Sequence, residues 1–159
     1  WPSGHATAAM SLALCSVVVA PVRLRPLVAA LGAAFAVAVS FSFLELGWHY
    51  PSDVLGGFLV ATTWTLVGVA ALDVAQARWP RHTPVPSAAL VRPVSLTEAL
   101  GPPAAVLFGA IVLGGLVALT RPHAVIAYAH AHQAFLVGAA AIAALGLALA
   151  TGVMLALRR

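Results

Sequence analysis

His5 and His49 lie 44 residues apart, each within a short polar motif of a mostly apolar chain: Pro2-Ser3-Gly4-His5 and His49-Tyr50-Pro51-Ser52-Asp53. Imidazole titrates nearer neutrality than any other side chain, so one histidine can attack while another donates a proton. Phosphoryl transfer asks for that pair, a nucleophile in line on one side of phosphorus and a proton donor for the leaving oxygen on the other. Asp53 follows His49 by four residues, close to one helical turn. A carboxylate there can hold one ring nitrogen's proton and leave the other nitrogen free to attack. Ser3 can offer a hydroxyl, and the backbone around Gly4 can offer N–H groups, to phosphate oxygens at a helix start.

The segments between and after these motifs decide whether the residues can meet. The chain is 62% hydrophobic and 8% charged, which excludes a soluble globular domain. Five stretches, near Ala6–Ala20, Leu27–Leu46, Val54–Leu72, Ala104–Thr120 and Ala134–Leu157, approach the ~20 apolar residues that cross a bilayer once. None alternates in polarity as a barrel strand would, and lipid demands internal backbone hydrogen bonds. The expected fold is therefore all-α, a polytopic membrane bundle of about five spans. Two crossings separate His5 from His49, which places both at one membrane face. Residues 1–73 read as a three-span unit and 74–103 as a proline-rich extended linker. Residues 104–159 read as a further two-span hairpin. Ser95-Leu96-Thr97-Glu98 has the spacing of a capping box and predicts a short surface helix before the fourth span.

All eight basic residues are arginine. Five crossings put Arg23, Arg25, Arg78, Arg81, Arg92, Arg158 and Arg159 on one side and Arg121 alone on the other. That bias places the seven in the cytoplasm and the two histidine motifs outside. The net charge of +4 follows from this topology, and no basic patch interleaved with aromatics points to nucleic acid. Cys15 falls inside the first span and reads as a packing residue. His123, His130 and His132 share an outward connection, yet no cysteine or carboxylate accompanies them to complete a metal site. The chain opens at Trp1 with a motif already under way, and so reads as the C-terminal part of something longer.

Pro2-Ser3-Gly4-His5 followed by His49-x-x-x-Asp53 resembles the type 2 phosphatidic acid phosphatase superfamily, which includes lipid phosphate phosphatases and vanadium haloperoxidases. The family pattern runs Lys-x6-Arg-Pro, Pro-Ser-Gly-His, then Ser-Arg-x5-His-x3-Asp. The resemblance covers Trp1 to about Leu72 and implies that the first three spans are half of a six-helix core. It implies His49 as the nucleophile that becomes phosphohistidine, Asp53 as its orienting acid and His5 as the leaving-group acid. Ser3 and Gly4 are implied to bind phosphate, with no metal or other cofactor. Lys-x6-Arg-Pro is absent, and the third motif reads Ser42-Phe43, with phenylalanine in the arginine position. The implied activity is hydrolysis of a lipid phosphomonoester or pyrophosphate at the outer face of the plasma membrane. The alternative is an inactive relative that binds lipid or serves membrane assembly.

Overall fold

The computed structural model describes residues 1–79 and 94–157. Six helices account for nearly all of them: α1 (Gly4–Val19), α2 (Arg25–Glu45), α3 (Pro51–Arg78), α4 (Leu96–Thr120), α5 (Pro122–Ala131) and α6 (Gln133–Ala156). No strand occurs among the described residues. Helices α2, α3, α4 and α6 are long and apolar enough to cross a membrane. Helix α1 has 16 residues; at ~1.5 Å per residue it falls short of a ~30 Å hydrocarbon layer. The five expected spans are thus four long apolar helices and one shorter one.

Two differences from expectation lie at the proposed linker. Helix α3 continues past the apolar stretch to Arg78, because Asp73–Arg78 contains no proline and its Ala, Gln and Arg favour a helix. At the other side, the Ser95 hydroxyl accepts from Glu98 N (3.1 Å) and the Glu98 carboxylate accepts from Ser95 N (2.8 Å). This capping box starts α4 itself, not a separate surface helix. Pro102 and Pro103 lie inside α4, where each removes one hydrogen-bond donor from the second and third turns. The remainder of the expected linker, residues 80–93, and Arg158 and Arg159 lie outside the described residues. The connection carrying the three histidines is also helical: Pro122 opens α5, and His132 closes it.

The core is built on close backbone approach. Helix α1 supplies Ala6, Met10, Ala13, Leu14 and Val17, all buried, and packs between α2 and α3. A methyl group added at Gly32 would fall 2.9 Å from Ala13 Cβ, so α2 touches α1 there almost backbone to backbone. Gly146 of α6 sits over Val37, Phe58 and Met10, one side chain from each of α2, α3 and α1. Small residues permit such contacts, and in lipid packing replaces the hydrophobic effect as the force between helices. Ile142, Ala150, Val153 and Met154 of α6 join the same buried cluster. Helix α4 buries only Ala99 and Pro103 and leaves most of its length exposed.

Polar side chains inside the helices are largely satisfied by their own backbone. The hydroxyls of Ser16, Ser40, Thr62, Thr63 and Thr65 each donate to the carbonyl four residues earlier, at 2.7–2.9 Å. This is how a hydroxyl tolerates an apolar surrounding. At the end of the bundle away from the histidine motifs, Arg25 donates from Nη1 to Leu157 O (2.6 Å) and from Nε to Ala20 O (3.2 Å). Those carbonyls belong to the C-terminal caps of α6 and α1. One guanidinium therefore satisfies orphan acceptors at the negative ends of two helices.

Replacing Arg25 with alanine is expected to lower stability by about 1.5–3 kcal/mol, the range for hydrogen bonds to a charged group. Arg25→Lys should recover part of the loss, since one ammonium cannot reproduce the two-pronged contact. Unfolding in mixed micelles checks this; an unchanged midpoint for Arg25→Ala would remove the latch from the account.

Candidate active site

The site begins at the C-terminus of α2. Gly47 adopts φ = 67°, the left-handed conformation that glycine reaches without a Cβ clash. Its N–H donates to Leu44 O (3.0 Å), and Trp48 N–H donates to Phe43 O (3.1 Å). These are the two bonds of a Schellman cap, and the apolar contact that accompanies such caps is present. The Phe43 and Trp48 rings have centroids 5.7 Å apart. The cap turns the chain so that His49 follows at once, on the same side as Phe43.

Helix α3 then starts at Pro51, whose missing N–H costs nothing in a first turn. Asp53 reaches back and accepts from Tyr50 N at 3.0 Å through Oδ2. The same oxygen stands 3.5 Å from His49 Nδ1. Asp53 lies ahead of the apolar stretch that begins at Val54, at the mouth of the helix. The Tyr50 N–H chiefly, and the His49 ring after it, hold its carboxyl below the usual carboxylate range against an opposing effect of partial burial. Asp53 is therefore an anion at neutral pH that faces His49 Nδ1 and leaves Nε2 on the far edge of the ring.

The third part arrives from α1. Ser3 N–H donates to Asp53 O (2.9 Å), and the Trp1 indole donates to Ser52 O (3.1 Å). Glycines on α3 make this approach possible. A Cβ at Gly56 would lie 2.6 Å from the Trp1 ring, and one at Gly57 would lie 2.9 Å from Ser3 O and 3.0 Å from Thr7. Ser3 is buried, and its hydroxyl caps α1 by accepting from Ala6 N at 3.3 Å. The N–H groups of Gly4 and His5, in the open first turn, have no helical acceptor. His5 projects from that turn with its ring centroid 6.4 Å from that of His49.

The structure thus brings together Ser3, Gly4, His5, His49 and Asp53, with Ser3 committed to the cap. Phe43 stands among them. Its ring stacks on His5 at 4.3 Å and 29°, and presents an edge to His49 at 6.1 Å and 73°. Arg23 lies in the α1–α2 connection, Arg25 opens α2 and Arg78 lies in the last turn of α3, all at the other end of these helices. His132 stacks on Tyr128 at 4.2 Å, and no cluster of His, Cys, Asp or Glu able to hold a metal occurs among the described residues. Sequence reasoning did not find Gly47, Gly56 and Gly57. The available signals were a glycine just past the last apolar residue of α2 and a glycine pair inside a span.

The PAP2 superfamily model matches residues 1–79. The chain carries a PAP2 superfamily domain. Neither a curated protein nor a solved structure matches the chain significantly. The PAP2 domain contains every element that builds the histidine site, α1 to α3, while α4, α5 and α6 follow it.

Gly57→Leu is expected to push α1 off α3 at Ser3 and Thr7 and separate the two histidines. Gly47→Val should cost about 1–2 kcal/mol, from the left-handed conformation it cannot adopt freely. Distances between spin labels on α1 and α3 check the first; a Gly57→Leu chain with unchanged distances would contradict the packing described.

Proposed function

We propose that the chain is a membrane phosphatase that hydrolyses a lipid phosphomonoester or pyrophosphate through a phosphohistidine at the outer membrane face. The observation that carries this reading is the approach of His5 to His49 across 6.4 Å, with Asp53 on His49 Nδ1. In this mechanism His49 Nε2 attacks phosphorus, and the bond to the leaving oxygen breaks as His5 delivers a proton to it. A phosphohistidine and the free lipid alcohol, or lipid phosphate, result. Water then attacks phosphorus, His5 takes its proton, and the P–N bond breaks to release inorganic phosphate. Asp53 stabilises the charge that grows on the His49 ring. The N–H groups of Gly4 and His5, at the positive end of α1, are the donors for phosphate oxygens. Arginine bias supports an outward-facing position for this end of the bundle, where phosphatidate, phosphatidylglycerol phosphate and polyprenyl pyrophosphate fit the reading.

One observation favours a second reading. Phe43 occupies the position of the family arginine, and cations supply much of the stabilisation in phosphoryl transfer. An inactive PAP2 relative that binds lipid or supports assembly would carry such a change.

Phosphate release from phosphatidate and from a polyprenyl pyrophosphate by the purified protein separates the two. Turnover that falls by at least about a hundred-fold in His5→Ala and further in His49→Ala supports the enzyme. Release no greater than that of a folded His49→Ala chain supports the binding protein.

A further inference from the structure

We infer that Phe43 is a positioning residue for His5, resting on the phosphatase reading: its ring fixes the imidazole that hands the proton to the leaving group. The two histidines are held in different ways. His49 is tied at Nδ1 by Asp53. Among the described residues the His5 ring has no hydrogen bond, and its ring contacts are Phe43 at 4.3 Å and His49 at 6.4 Å. His5 is exposed in the first turn of α1, where an unpinned imidazole samples several rotamers. Face-to-face contact with a half-buried aromatic ring is the restraint the site provides.

Phe43 can serve because it is itself fixed. Its carbonyl accepts from Trp48 N–H at 3.1 Å, and its ring packs against the Trp48 indole at 5.7 Å. The Schellman cap thus ends in a rigid ladder, Trp48 to Phe43 to His5, that joins the end of α2 to the start of α1. The cap also sets the backbone direction of His49. One local motif therefore aims both histidines, one through the chain and the other through a stacked ring. At this position a flexible cation would release His5, so the phenylalanine contributes orientation where the family pattern has charge.

The test uses the full chain in detergent with ring-labelled histidine, and the variants Phe43→Leu, Phe43→Tyr and Phe43→Arg. Protons of an imidazole stacked on an aromatic face are shielded. Phe43→Leu should move the His5 ring resonances downfield, and Phe43→Tyr should restore them. In turnover, Phe43→Leu should lower kcat about ten- to a hundred-fold through misorientation, with KM within roughly two-fold because substrate binding is spared. Phe43→Tyr should recover most of kcat, and Phe43→Arg should behave as the leucine variant does. A Phe43→Arg chain with raised kcat/KM would overturn the inference, as would His5 resonances that ignore Phe43→Leu. Absent turnover in the unsubstituted protein would instead sink the phosphatase reading, and the resonance measurement would still report on the stack.

Discussion

The contact on which the site depends is the backbone hydrogen bond from Ser3 N–H to Asp53 O, 2.9 Å long. It joins the residues just before α1 to the first turn of α3, fifty positions later in the chain. Such an approach leaves no space for side chains between the two helices, and Gly56 and Gly57 supply that space by having none. Glycine inside a helix costs roughly 0.5–1 kcal/mol relative to alanine, so two in succession near a helix start are a local weakness. The weakness is offset where Trp1 covers Gly56 and where Ser3 and Thr7 sit on Gly57. Without this approach His5, in the first turn of α1, and His49, in the α2–α3 connection, would be two unrelated polar residues. With it they share one end of the bundle.

The second constraint is that a few residues around the α2–α3 connection each do two things. Gly47 terminates α2 and thereby aims His49. Asp53 caps α3 through Tyr50 N and faces His49 Nδ1 with the same oxygen. Phe43 accepts the cap's longer bond and covers His5. A change that loosens a helix end at this connection therefore also disorients the site. The opposite end of the bundle is held by other means. Arg25 gathers the C-terminal carbonyls of α1 and α6, and α6 reaches the centre of the core at Gly146. Helix α6 lies beyond the PAP2 match yet packs against all three helices of the matched region. The bundle that carries the histidines is thus built from both parts of the chain.

Much of this was legible in the residues themselves. The two apolar segments between His5 and His49 predict a common end for both, and the structure brings them to one end of the bundle. Ser-x-x-Glu at Ser95 marked a helix start correctly, but not that the helix would run on through Pro102 and Pro103. Proline density was read as a stop, whereas two missing donors early in a capped 25-residue helix are a tolerable loss. The extent of α3 was also missed, because hydropathy sees where lipid ends and not where a helix ends. The role of Ser3 was less visible still. A serine before a glycine and a histidine serves equally as a phosphate ligand or an N-cap, and spacing alone does not reveal that its hydroxyl caps α1. Phe43 was recognisable only as a departure from a pattern. Its stacking on His5 depends on the turn at Gly47, a tertiary fact that no local spacing encodes.

The central claim, that His49 takes the phosphoryl group, is tested most directly by trapping the intermediate. The protein is mixed with lipid substrate labelled at the transferred phosphorus, quenched in base within the first turnover, digested and mapped. The account predicts an acid-labile, base-stable label on the peptide that contains His49, absent from His49→Ala and retained in His5→Ala with a substrate whose leaving group needs no proton. Label on another residue, or phosphate released with no labelled protein at any time, would contradict it.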